Sequence, residues 1–403
     1  MKEKLKRIFT DPRTLFWVWM IIAVTGMTRY GHGRENNYLI FKQVFWHVIH
    51  QLPLFVHYPA EYFDLNHYGP VFSLVIAPFA VLPTWTGMLL WLVALTLLLF
   101  FAVRRNVFTE YQQIFIYWFC AHELLNGVQM QQFNIAIAAI ILISYCCIEK
   151  EKDFWAAFAI MLGTFVKLYG IVGLAFFFFS RHKGKFVLSL LFWAIIMFVA
   201  PMIISSPEYI IGQYHDWYVE LVQKNSDNMF SQGTNISLLG LVRKISGCAT
   251  YSDLWLIIPG MIAFALPYLR IGQYPNLAFR QTILASTLMF VVLFSTGSEN
   301  SGYITPVIGV VIWYTTAPWE RSKWDIALMV YVFFFCTMAL SDLMPRFIRD
   351  QWMRPYGLKA LPVVIVWLNS VMRCTPRITA NSNTKETVLP NRQNRLFLQN
   401  PYS

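Results

Sequence analysis

Residues 84–103 read TWTGMLLWLVALTLLLFFAV, a run without a single charged side chain that stops at Arg104-Arg105. At about 1.5 Å of rise per residue, a helix of this length crosses the roughly 30 Å hydrocarbon core of a bilayer. Comparable runs fall near 14–30, 111–131, 133–148, 186–205, 254–270, 281–297, 303–319, 324–343 and 358–373. Of the 403 residues 57% are hydrophobic and 13% are charged, against about a quarter charged in soluble domains. A soluble protein so apolar could not cover itself with polar groups, whereas a bilayer removes that requirement. The chain is therefore expected to be an all-α polytopic membrane protein.

Two stretches leave the topology open. Residues 69–83 are short and bounded by prolines, and 154–180 form one long run interrupted by Lys167. Either the first is re-entrant and the second a hairpin of two short spans, or the first is a short span and the second one long helix. Both readings give about twelve spans with both termini on one side. Lys2, Lys4, Lys6 and Arg7, then Arg181, Lys183 and Lys185, then Arg270, Arg321 and Lys323, place that side in the cytoplasm. Arg104 and Arg105 join them only in the first reading. The start of the chain reads as a retained first helix, since no small-residue cleavage site follows its apolar run.

The net charge of +11 is explained by these topology-setting clusters, so a nucleic-acid partner is not expected. Trp17, Trp19, Trp85, Trp91, Trp217-Tyr218, Trp313-Tyr314 and Trp319 fit an interfacial aromatic belt, with core packing as the alternative. Six cysteines without a CxxC pair argue against a disulfide frame or zinc site. His47, His50 and His57 have no carboxylate or cysteine to complete a site, so no metal ligand and no cofactor is assigned. Residues 1–373 read as one transmembrane catalytic domain, and 374–403 as a polar, disordered cytoplasmic tail.

This orientation sends the segments 31–68, 206–251, 298–302 and 344–357 to the outer side. The first carries an amphipathic stretch at 37–56, expected to lie as a helix on the membrane surface. After it comes Tyr62-Phe63-Asp64-Leu65-Asn66-His67-Tyr68-Gly69-Pro70, which gathers a carboxylate, an amide, an imidazole and phenols at the mouth of the bundle. Gln132-Phe133-Asn134 opens a span. Asn235-Ile236-Ser237-Leu238 with Arg243 stands in the second outer segment, and its first three residues also read as a glycosylation sequon. Glu299-Asn300 in the short third segment lines the same cavity or is simply solvated.

In this order the first outer loop, the Y-x-P at Tyr68–Pro70, the Q-x-N at Gln132–Asn134 and the N-x-S-L at Asn235–Leu238 resemble glycosyltransferase family 87. That family is one of the polytopic GT-C enzymes, which transfer mannose or related sugars from a polyprenyl-phosphate carrier. The resemblance covers most of residues 10–345. It implies an inverting hexosyltransferase that moves a mannose-like sugar onto a lipid-linked or glycan acceptor, without a metal requirement. It also implies a bacterial-type inner (plasma) membrane and an active site facing the periplasm. Lys167 sits where the family carries a basic residue often followed by proline; here Leu168 follows.

Many members place an Asp just after the first span, where this chain has Arg34-Glu35-Asn36-Asn37. The catalytic base is then Asp64 or Glu35, with Asp64 preferred for its place beside Tyr68 and Pro70. Asn36 and Asn37 would bind sugar hydroxyls or a phosphate, and His67 the acceptor or a phosphate oxygen. Tyr68, Gln132, Asn134, Asn235 and Ser237 would complete the substrate site. A departing lipid phosphate needs a cation, for which Lys167, Arg243 and Arg354 are candidates. A lysine at bilayer depth costs about 2.5–3.5 kcal/mol on insertion scales and normally has a partner. Snorkelling from a hairpin tip is the alternative for Lys167, and headgroup contact for the two arginines. A transporter or flippase of polar or lipid-linked substrates is the rival reading of the whole chain, although no internal repeat supports it.

Overall fold

The computed structural model describes residues 2–316 and 320–374, and among these every regular element is helical. The expected tail beyond Cys374 and the belt position Trp319 lie outside the described residues. Two helices, Thr84–Arg104 and Lys183–Ile203, are each long and apolar enough to cross a bilayer unbroken. The pair Arg346–Tyr356 and Ala360–Cys374 meets the same test together, bent by 59°. Asn134–Glu149, Tyr169–Phe179, Leu254–Leu269 and Leu277–Leu293 are apolar but shorter. The expected passages are thus not a set of uninterrupted spans.

Burial orders the bundle. Asn134–Glu149 is buried on nearly every side, and residues 304–313 of Ile304–Thr316 are all buried, so these helices form its centre. Lys183–Val199 buries only Phe186, Ser189 and Met197, and Leu254–Ala265 only Gly260. Their exposed faces carry Leu188, Leu191, Ile195, Ile258 and Ile262. In water such continuous apolar surface would drive association; in a bilayer it is solvated by lipid.

The run 153–179 folds back on itself. The helix Asp153–Lys167 is followed by the 3-10 helix Tyr169–Phe179. Gly163 lies against Gly170, and Ile160 against Gly173, which is an antiparallel pairing. Leu168 makes the reversal with φ +56°, a left-handed conformation that a branched side chain adopts only at a cost. Lys167 therefore stands at a hairpin tip. Residues 72–80 form a nine-residue helix, about 13 Å long and too short to span. Hydrogen bonds from Tyr38, Lys42 and Trp46 of the helix Asn36–His50 to the carbonyls of Phe79, Leu82 and Ala80 hold it.

Several belt candidates are core residues instead. Trp19 and Trp91 are buried and donate to the carbonyls of Tyr117 and Gln131, and Trp313 is also buried. An indole next to a free helix-end carbonyl can be satisfied inside the protein, which composition alone does not reveal. Trp17, Trp85 and Tyr218 remain exposed.

Candidate active site

A polar cavity of about 430 Å³ opens where the 57–68 loop, the hairpin tip and the helix Pro207–Asp227 meet. Its walls include Asn37, Asp64, His67, Tyr68, Gln132, Lys167, Glu220, Lys224, Asp227 and Glu299. Residues separated by more than two hundred positions are brought together, and the local sequence explains how. Asn66 clamps the chain by accepting from the Tyr68 amide and donating to the Tyr68 carbonyl, both at 3.0 Å. The Gly69 amide then donates to the Val166 carbonyl at 3.0 Å. Any Cβ at Gly69 would run into the Phe165 carbonyl and the Trp217 ring, so only glycine lets the loop lie this close to the helix end.

Tyr68, held in this way, donates from its hydroxyl to Gln132 Oε1 at 2.8 Å. The Lys167 ammonium donates to Asn134 Oδ1 at 2.7 Å and to the Tyr68 hydroxyl at 3.4 Å. Asn134 in turn donates to the Ser301 hydroxyl, which donates to Glu299 Oε2. The Glu299 carboxylate interacts electrostatically with Lys167 and Lys224. Asp64 is exposed at the cavity mouth, and among the described residues only its Oδ1 is engaged, by the Leu65 amide. His67 Nδ1 lies 2.8 Å from Glu220 Oε1, and the Trp217 indole donates to the His67 carbonyl.

The sequence reading did not single out Glu220, Lys224 or Asp227. Their signal was available: spacings of four and three place all three on one face of the helix Pro207–Asp227. Burial lowers the Lys224 pKa from its ordinary value, while Glu299, Asp64 and Glu220 pull it back up. The Lys224 ammonium makes no hydrogen bond or ion pair among the described residues.

Other expected site residues are engaged elsewhere. Asn37 lines the cavity and donates to the Met130 carbonyl. Asn36 instead accepts from the Phe63 amide and ties its helix to the loop that carries Asp64. Both Glu35 oxygens close their own turn by accepting from the amides of Gly31 and Arg34. Asn235 is buried with φ +52°, donating to the Met229 carbonyl and accepting from Ser237. Ser237 caps the helix Leu238–Ser246 through the Gly240 amide. Neither faces the cavity; both shape the turn whose Ile236 amide donates to the Ser298 carbonyl.

Arg243 is 2% exposed and spends its guanidinium on the carbonyls of Cys248, Ala249 and Tyr251 and on Asp253 at 2.6 Å. It closes the 248–253 loop, whose carbonyls have no regular structure to pair with. Arg354 is half exposed and pairs with Asp350 at 3.4 Å. Among the described residues no three His, Cys, Asp or Glu side chains are grouped so as to hold a metal ion.

Arg243 instead borders a second space, an apolar groove of about 870 Å³ walled by Leu168, Val172, Leu254, Ile257, Met261 and Phe294. Groove and cavity abut. Lys167, Lys224 and Asn228 face the cavity, and their chain neighbours Leu168, Asn225 and Met229 face the groove. A charged headgroup and an apolar tail would thus find adjacent surfaces.

No curated protein matches the chain in sequence. The sequence model of glycosyltransferase family 87 matches residues 66–296, a narrower stretch than the resemblance suggested. It contains His67, Tyr68, Gln132, Asn134, Lys167, Asn235 and Ser237, begins two residues after Asp64 and leaves out Glu35–Asn37 and Glu299. That match takes in more than half of the 403 residues, and the chain belongs to glycosyltransferase family 87 as a membrane glycosyltransferase.

Proposed function

We propose that the enzyme inverts the anomeric centre of a hexose of mannose type, transferring it from a polyprenyl-phosphate donor to a lipid-linked or glycan acceptor. The reaction takes place at the outer face of a bacterial inner membrane, facing the periplasm. The observation that carries this reading is that Asp64 and Lys167 line one polar cavity bordered by an apolar groove. The groove takes the first isoprenoid units and the cavity takes the sugar.

The acceptor oxygen forms its bond to the anomeric carbon as the carbon–oxygen bond to phosphate breaks on the opposite face. The hydroxyl proton passes to the free oxygen of Asp64, which acts as general base. The phosphate leaves with the bonding electron pair, and the ammonium groups of Lys167 and Lys224 neutralise its growing charge. Gln132 and Tyr68, locked to each other, and Asn37 meet sugar hydroxyls. His67, oriented by Glu220, receives the acceptor. Glu35 is left out of the base role because both its oxygens are occupied in its own turn.

Full-length protein in lipid nanodiscs, supplied with polyprenyl-phosphate mannose and a panel of glycan and lipid-linked acceptors, tests this. Asp64→Asn should lower transfer by about 10³-fold, and Glu35→Gln should stay within about threefold of the parent. Full activity of Asp64→Asn would remove the base assignment. Retention of the donor anomeric configuration in the product would remove the single displacement.

A further inference from the structure

Behind the cavity stands a buried ion pair that the proposed chemistry does not use. Lys359, just before the helix Ala360–Cys374, is 1% exposed. Its ammonium donates to Glu123 Oε1 at 2.8 Å, to Glu123 Oε2 at 3.1 Å and to Asn300 Oδ1 at 2.6 Å. Glu123, on the helix Ala121–Gln129, is fully buried. The Tyr303 ring lies 4.6 Å from the same ammonium, and its hydroxyl donates to the Ile236 carbonyl at 2.8 Å.

These contacts surround Glu299. On one side the Ser298 carbonyl accepts from the Ile236 amide at 3.0 Å. On the other, the Asn300 side chain is held by Lys359. The residue between them thus has a fixed backbone on both flanks, and its carboxylate receives the Ser301 hydroxyl that leads through Asn134 to Lys167. Stability alone is a weak reason for such a pair. Two charges taken out of water lose much of what their attraction returns, and apolar residues of equal volume often serve as well. The placement of the third hydrogen bond, on the neighbour of the cavity carboxylate, gives the pair a different purpose.

We infer that Lys359, held by Glu123, is a positioning residue. Through Asn300 it sets the Glu299 carboxylate opposite Lys167 and Lys224, and so sets where those two cations meet the leaving phosphate. The kinetic part of this inference rests on the proposed function; the structural part does not.

The test uses the full-length protein with two readouts. Asn300→Ala removes the acceptor, Asn300→Asp keeps an oxygen for the ammonium, and the double variant Glu123→Leu/Lys359→Met replaces the pair by apolar side chains. Hydrogen exchange of the amides of 298–303, where Ser298, Gly302 and Tyr303 donate to the carbonyls of Ser295, Glu299 and Asn300, is read first and needs no substrate. Asn300→Ala and the double variant should exchange there about tenfold faster, and Asn300→Asp at the parental rate. Sugar transfer should then show kcat lowered about tenfold or more with KM for the donor within about threefold, again restored by Asn300→Asp. Parental exchange or parental kcat in the folded double variant overturns the inference. If the parent transfers no sugar from any polyprenyl phosphate while Asn300→Ala still loosens 298–303, the proposed function fails and the clamp stands. If the parent is active and Asn300→Ala changes neither readout, the clamp fails and the function stands.

Discussion

The Lys167 ammonium lies 2.7 Å from Asn134 Oδ1, which joins the tip of a helical hairpin to the first residue of the central helix. The amide carbonyl supplies a neutral partner that holds the ammonium in place without cancelling its charge. Lys167→Met should therefore abolish most transfer, by about 10²–10³-fold, the scale of losing one preorganised donor to a developing oxyanion. Asn134→Ala should lose less. The two losses together should fall short of additive, since both act on the same ammonium. Transfer rates of the two single variants and the double variant check this. Full additivity would show that Asn134 acts elsewhere.

Gly69 sets how closely the 66–70 loop approaches the end of the helix Asp153–Lys167. A methyl group there meets the Phe165 carbonyl and the Trp217 ring. Gly69→Ala should cost about 1–3 kcal/mol by overpacking, and it should move Tyr68 off Lys167. A fall in the thermal midpoint together with a fall in transfer is the expected pair of results. Parental values in both would refute the close approach.

Leu168 holds φ +56° at the hairpin tip, and its amide donates to the Thr164 carbonyl at 2.9 Å. Leu168→Gly should be neutral or stabilising by up to about 1 kcal/mol, since glycine adopts this conformation freely. Leu168→Pro should destabilise by about 3 kcal/mol or more, because proline cannot reach positive φ and lacks the donated proton. Thermal unfolding in detergent, followed by tryptophan fluorescence, separates the two variants. The reverse ranking would exclude the left-handed turn.

Lys244 donates to the carbonyls of Thr234 and Asn235, and burial lowers its pKa from 10.5 to about 8. Lys224 shifts in the same direction. The folded protein gives up the Lys244 proton near pH 8, whereas the unfolded chain keeps it until about pH 10.5. Through that window the unfolded state binds more protons, so stability should rise with pH; below pH 8 both states are protonated and the slope from this group vanishes. Thermal midpoints measured from pH 7 to 10 should show the rise, and Lys244→Met should reduce it. An unchanged slope in that variant would locate the titration elsewhere.

The helices that form the bundle were legible because each is a local apolar run. The 84–103 stretch became Thr84–Arg104, and the runs near 133–148 and 281–297 became Asn134–Glu149 and Leu277–Leu293. The candidate site was partly legible. Asp64, His67, Tyr68, Gln132 and Lys167 stood out as polar groups at the ends of apolar runs, and they line one cavity. Asn235, Ser237 and Arg243 stood out equally but build turns. A motif records that a residue type is placed with care, and it does not say whether the side chain serves a ligand or its own backbone. Glu123, inside the 111–131 run, and Lys359, at the edge of the 358–373 run, were passed over because nothing local links them, and only their meeting, 236 positions apart, makes them a pair.

By itself the sequence determined that this chain is helical and lives in a membrane, since both follow from hydropathy counted along the chain, one residue at a time. Tertiary structure alone decided which charges share a cavity, that Lys167 stands at the tip of a reversal, and that the lone carboxylate of the 298–302 loop faces two lysines. The physical reason is range. Burial in lipid is a property of one segment, whereas the position of a charge is set by contacts among segments far apart in the chain.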